Sequence, residues 1–123
     1  MPNFSFVLLY VEDPTASASF YADLLSRPII DSSPTFAMLP LSDGVMLGLW
    51  SRKSVEPAAT AHAGAGEVAF TVVDAAAVKA TFADWKRRGL PILQEPVQMD
   101  FGHTFVAADP DGHRLRVFVP GAA

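Results

Sequence analysis

The chain contains no cysteine. Disulfides, thiolate metal sites and a cysteine nucleophile are thereby excluded together, and the absence fits a reducing compartment. It has no excess of positive charge either: nine Lys and Arg stand against 13 Asp and Glu, a formal net charge of −4. "KRR" at 86–88 is too short a basic cluster to supply the electrostatic footprint of a nucleic-acid or other polyanionic partner. No apolar run reaches the roughly 18 residues of a membrane span. The opening "MPNFSFVLLY" lacks the basic segment and small-residue cleavage site of a secretory leader, so a cytoplasmic protein is expected. Also missing are a GxSxG nucleophile elbow, a Gly-rich phosphate loop and a His pair at metal-ligand spacing. What is there is the composition of a globular protein: 123 residues, 50% hydrophobic and 18% charged, enough for one domain to bury a core without staples.

Periodicity divides the chain in two. "NFSFVLLYV" alternates Phe4, Phe6, Leu8 and Tyr10 with Val7, Leu9 and Val11, and two apolar faces predict a strand covered on both sides. "EDPTASASFYADLL" predicts a helix capped by Asp13, with Pro14 in its first turn and Phe20, Tyr21, Leu24 and Leu25 on its buried stripe. Three extended runs follow, "IID", "TFAMLPL" and "VMLGLW", the last two joined by the turn "SDG". The small-residue stretch "SRKSVEPAATAHAGAGE" reads as a flexible connector. The pattern then restarts. "EVAFTVV" predicts a strand and Asp74 caps "AAAVKATFADWKRR", a helix with Val78, Phe82 and Trp85 on its core stripe. Gly89 is placed to end that helix in the left-handed conformation, and "PILQEPVQM", "HTFVAAD" and "HRLRVFV" predict three more strands.

The two halves align as an internal repeat. Asp13, Tyr21, Ala22, Asp23 and Leu24 match Asp74, Phe82, Ala83, Asp84 and Trp85 at one constant offset, and "SDGVMLGLW" matches "PDGHRLRVF" at a second, about seven residues longer. An insertion therefore lies between the helix and the third strand of the second copy, and Gly48 matches Arg116. The expected organisation is one domain over 1–123, made of module 1 (1–51), a connector (52–66) and module 2 (67–123). Strand parity puts Val7, Leu9, Leu47, Leu49, Val68, Phe70, Leu115 and Val117 on the helix side. It puts Phe6, Leu8, Gly48, Trp50, Glu67, Ala69, Arg114, Arg116 and Phe118 on the other.

With "FYADLL" on its first helix and "DPDGHRLRVF" leading into its last strand, this repeat resembles the vicinal oxygen chelate superfamily of glyoxalases, extradiol dioxygenases, fosfomycin-resistance enzymes and bleomycin-binding proteins. The runs "VLLYVEDPTASASFY", "LWS", "DFGHTFVAADPDGH" and "RVFVP" are similar to its antibiotic-sequestering branch, in particular the phenazine antibiotic resistance proteins. The resemblance implies an α+β fold of two tandem βαβββ modules forming a curved mixed sheet around a cavity. It also implies a homodimer with pockets built from strands of both subunits. Metal-using members place ligands at positions corresponding to Phe6, Gly48, Glu67 and Arg116. Of these only Glu67 is a cation ligand, so neither a metal nor another cofactor is expected.

What remains for the cavity is the chemistry of a small-molecule pocket. Trp50 is the candidate for stacking on a planar ring, with Phe6 and Phe118 beside it; each is also the kind of residue that fills a core. Arg116 has two candidate roles, an ion pair with Glu67 or a fork for a ligand's carboxylate or polar ring substituent. Arg114 reads as a solvated rim residue, and Asp100 and Thr104 as further polar contacts. His113, after the "DPDG" turn, reads as a solvated turn-flanking residue, His103 as turned away from the cavity if Thr104 faces in, and His62 as part of the connector. The leading expectation is non-catalytic sequestration of a planar aromatic molecule such as a phenazine antibiotic. The alternatives are a metal-independent or weakly metal-dependent lyase or isomerase in the same cavity, and a metabolite-binding module.

Overall fold

The computed structural model describes residues 1–121 and divides them into two compact units, Met1–Ala61 and His62 onward. The last two residues assigned to module 2, 122 and 123, lie outside the described residues. Each unit is a βαβββ module. The first runs β1 (Phe6–Val11), α1 (Pro14–Leu25), β2 (Asp31–Ser32), β3 (Phe36–Ser42) and β4 (Val45–Ser51), and its sheet has the order β1-β4-β3-β2. The second runs β5 (Glu67–Thr71), α2 (Ala75–Arg87), β6 (Ile92–Met99), β7 (Gly102–Ala108) and β8 (Arg114–Pro120), ordered β5-β8-β7-β6. In each, the first strand pairs in parallel with the last and the other pairings are antiparallel. No helix among the described residues is long and apolar enough to cross a membrane.

The register carries the internal repeat into three dimensions. Leu8 pairs with Gly48 in the first module and Ala69 with Arg116 in the second, so both offsets seen in the sequence meet at equivalent points of equivalent sheets. The third strands agree: Phe36 pairs with Trp50, and Thr104 with Phe118. The insertion of the second copy is taken up mainly by the β6–β7 hairpin, where an eight-residue strand replaces the two-residue β2. Ile29 and Ile30, expected to begin a strand, instead precede β2 and are exposed.

Local chemistry accounts for the helices. Asp13 Oδ1 accepts hydrogen bonds from the amides of Thr15 (3.1 Å) and Ala16 (3.3 Å), with Pro14 in the first turn where no amide hydrogen is needed. Asp74 Oδ1 caps α2 through the Ala77 amide at 2.7 Å. Past the end of α2, Gly89 adopts φ +91° while its amide donates to Lys86 O and that of Leu90 donates to Trp85 O, the paired bonds of a Schellman motif. The end of α1 needs the same left-handed residue, and there Ser26 supplies it at φ 53°.

One face of each sheet is packed on its helix. Leu47 and Leu49 with Tyr21 and Ala18 form the first core; Leu115, Val117 and Phe105 with Val78 and Trp85 form the second, where Phe105 meets the edges of Phe82 and Trp85 at 5.6 and 5.5 Å. The other face of the first sheet departs from expectation. Phe6, Leu8 and Tyr10 are 42%, 44% and 37% exposed, because the helix covers only the opposite side and strand alternation sends these three away from it. The connector also starts differently from the flexible linker read in the sequence. It turns at once, with the Ser54 amide on Ser51 O, buries Val55, and ties Ala61 O to the Arg52 guanidinium.

Candidate functional site

The uncovered face of the first sheet carries a pocket of about 490 Å³ lined by Phe6, Leu8, Phe36 and Trp50. Three adjacent strands build it: Phe6 and Leu8 from β1, Trp50 from β4 and Phe36 from β3, directly opposite Trp50 in the register. The indole is braced on its other flank by the Tyr10 ring, edge-on at 6.2 Å and 84°. Gly48 lies at the centre of this group and contributes no side chain. An aromatic, uncharged lining of this volume suits a flat apolar molecule, and it offers no general acid, base or nucleophile.

In the second module the equivalent face is polar. Arg116, half-buried on β8, sends Nε and Nη2 to the two carboxylate oxygens of Glu67 at 2.7 and 3.1 Å, a bidentate pair. Its Nη1 donates to Thr104 Oγ1 at 3.1 Å and to Gln94 Oε1 at 3.4 Å, and its guanidinium carbon lies 5.5 Å from the centre of the Phe101 ring. Thr104, fully buried, passes its own hydroxyl hydrogen to Val117 O at 2.9 Å. The hydrogen bonds from Arg116, opposed by partial burial and reinforced by the charges of Arg116 and Arg114, hold the Glu67 carboxyl below its ordinary range. This fork is engaged inside the protein, and most of its donors are satisfied.

Of the residues singled out in the sequence, Phe6 and Trp50 meet in the first module's pocket, and Arg116, Glu67 and Thr104 meet in the second module's cluster. Phe118 adjoins that cluster through Phe101, edge-on at 5.8 Å. Asp100 sits exposed at the β6–β7 turn, and its neighbour Phe101 is the residue that reaches the guanidinium. Leu8 and Phe36 were missed as pocket residues and Gln94 as a partner of Arg116. The repeat could have found Phe36, which is the counterpart of Thr104; Gln94 lies where the insertion breaks the alignment.

The four positions that the resemblance assigns to metal ligands, Phe6, Gly48, Glu67 and Arg116, fit a metal poorly. In the first module they present a phenyl ring and a glycine; in the second, a carboxylate already bound by a guanidinium. His113 is a correction. It is not a solvated turn residue: its Nδ1 lies 2.8 Å from Asp109 Oδ2, and its side chain is only 14% exposed. Asp109, Asp111 and His113 bring their potential ligand atoms within 4.8 Å of one another, but Asp109 Oδ1 already accepts from the amides of Asp111 (3.0 Å) and His113 (2.8 Å), so this group serves the turn.

Comparison with known proteins follows the same lines. The family model described as the Glyoxalase/Bleomycin resistance protein/Dioxygenase superfamily matches residues 3–117. The phenazine antibiotic resistance protein EhpR of Enterobacter agglomerans is 28% identical over 113 residues, covering 89% of this chain and 86% of EhpR. The solution NMR structure of protein ATC0852 from Agrobacterium tumefaciens is 50% identical, covers 99% of this chain and 100% of its own, and superposes with a TM-score of 0.90. A glyoxalase-related enzyme from Fulvimarina pelagi, 20% identical over 97% of this chain and 88% of its own with a TM-score of 0.83, shares the fold.

Proposed function

We propose that this chain, which belongs to the glyoxalase/bleomycin resistance protein/dioxygenase superfamily, is a binding member of it: a cytoplasmic protein that sequesters a planar aromatic small molecule of the phenazine type without converting it. The observation that carries the reading is the apolar pocket of Phe6, Leu8, Phe36 and Trp50, whose volume lies within the ~300–1,000 Å³ common for small-molecule sites. Stacking on Trp50 contributes on the order of 1 kcal/mol beyond the area buried. The similarity to EhpR supports a phenazine as the first ligand to try. Against a metal-dependent reaction stands the chemistry of the four family positions, where the single carboxylate, Glu67, is already held by Arg116. The protein acts as a homodimer on this reading, to which the exposed apolar side chains of Phe6, Leu8 and Tyr10 on β1 lend support.

Titration with phenazine, followed by calorimetry and by tryptophan fluorescence, tests the proposal. Saturable binding that Trp50→Ala abolishes or weakens severalfold is expected. No heat and no quenching up to the solubility limit of phenazine, or a Trp50→Ala variant that binds like the parent, would overturn it. Light scattering across a protein dilution series checks the dimer separately, and a monomer at all concentrations would remove that part of the proposal.

A further inference from the structure

Gly48 has a stereochemical peculiarity. A Cβ placed on it would lie 2.5 Å from Leu8 Cδ2 and 3.0 and 3.1 Å from Cζ and Cε1 of the Phe36 ring. Real Cβ atoms do not approach to 2.5 Å, and contacts of 3.0–3.1 Å are tighter than most, so a residue larger than glycine at 48 forces something to move. Backbone conformation does not demand this glycine: Gly44, Gly89 and Gly112 sit at positive φ, and Gly48 does not. Space is what remains as the reason. The atoms in the way are the free ends of two side chains rooted on neighbouring strands, Leu8 on β1 and Phe36 on β3. Neither belongs to the helix-packed core, so the fold has little reason to resist. Both line the pocket, so displacement is delivered there.

The equivalent positions of the second module exchange volumes in the opposite sense. Arg116 replaces Gly48, and the counterparts of Leu8 and Phe36 are the smaller Ala69 and Thr104. In both modules the three positions share one space above the last strand; the first gives it to the flanks, the second to the centre.

We propose that Gly48 is the specificity-determining residue of the pocket: its missing side chain lets Leu8 and Phe36 fold down over β4 and form a low floor on which a flat polycyclic ring lies. The inference rests on the reading of this pocket as the ligand site. Its test is a cycle of Gly48→Ala, Leu8→Val and the double variant, each titrated with phenazine and each melted without ligand. Gly48→Ala should keep its melting temperature within a few degrees of the parent and bind about tenfold more weakly or worse, since a methyl forced into filled space lifts the floor. Leu8→Val, which lacks the atom at 2.5 Å, should cost less alone and recover most of the loss in the double variant. Parent-like binding by Gly48→Ala overturns the inference. So does a double variant no better than Gly48→Ala, or a Gly48→Ala chain that unfolds, since the glycine would then serve packing of the fold. If phenazine is lost in Trp50→Ala but untouched by Gly48→Ala, the pocket stands and only the role of Gly48 falls. If the parent itself does not bind, both fall together.

Discussion

Asp109 is the residue whose replacement should damage the second module most sharply for the smallest change of shape. Its side chain is fully buried, and it accepts hydrogen bonds from the amides of Asp111 and His113 on Oδ1 while Oδ2 faces the His113 ring at 2.8 Å. The backbone closes the same turn, Asp109 N donating to His113 O and Gly112 N to Asp109 O. Asp109→Ala removes the acceptor and leaves two amides without their partner. A hydrogen bond to a charged group contributes about 1.5–3 kcal/mol, and an orphaned buried donor costs about 1–3. Allowing for partial replacement by water, the loss is about 3–5 kcal/mol, or roughly 10–20 °C in melting temperature for a domain of this size. Asp109→Asn keeps Oδ1 for both amides while altering the contact to the ring, so it should cost about 1–2 kcal/mol. Urea unfolding followed by circular dichroism, with the slope checked for constancy, measures both. An alanine variant within about 1 kcal/mol of the parent, or an asparagine variant as damaged as the alanine, would refute the reasoning.

Two further outcomes follow from the structure. Glu67 is held ionised below its ordinary range by Arg116, so its contribution to stability is present above the unfolded carboxyl value near ~4.3 and is lost as pH falls through the lower folded value. Parent stability should therefore decline across that acidic window more steeply than that of Glu67→Gln, as measured by urea midpoints from pH 6 downward; parallel profiles would contradict the pairing. Ser26 holds the left-handed position past α1 that Gly89 holds past α2, so Ser26→Gly should raise stability by about 0.5 kcal/mol, since relief of the side-chain strain is partly offset by a freer unfolded chain. A lowered denaturant midpoint would show the serine side chain to be a useful cap.

Much of this architecture is readable from spacing alone, because strand alternation and helix capping are local and the chain states each twice. The equivalence of Gly48 and Arg116 follows from the second offset and that of Leu8 and Ala69 from the first, and the ladder reproduces both. What escapes the sequence is set by distances between strands rather than along them. Nothing near His113 in the chain announces that its ring turns back onto Asp109, since the same four residues make a solvated turn equally well. The exposure of Phe6, Leu8 and Tyr10 has a similar origin: strand parity puts Phe6 and Leu8 on the face away from the helix, but two apolar faces on one strand do not reveal that this second face is left exposed. Phe36 was within reach of the repeat as the counterpart of Thr104, but what puts it in the pocket is its pairing with Trp50, 14 positions later in the chain.

The two modules also show how one backbone yields two unlike surfaces. Around the last strand of each, three side chains compete for one space, and close packing couples their sizes. Where the centre is glycine, the flanks can be Leu8 and Phe36, and the face becomes hydrophobic enough to take an aromatic ring. Where the centre is arginine, large apolar flanks would collide with it, so Ala69 and Thr104 stand there, and the threonine gains a hydroxyl that the guanidinium uses. The charge then requires a counter-charge, which Glu67 supplies from the position that Phe6 occupies in the first module. A change at one of these positions is therefore tolerated only with its partners. Transplanting the arginine alone, Gly48→Arg, should leave the first module with a cation that has neither space nor carboxylate. If the pocket takes phenazine as proposed, this change should erase that binding even with Leu8→Ala to make room, and binding that survived in that double variant would show the two surfaces to be less constrained than their packing indicates.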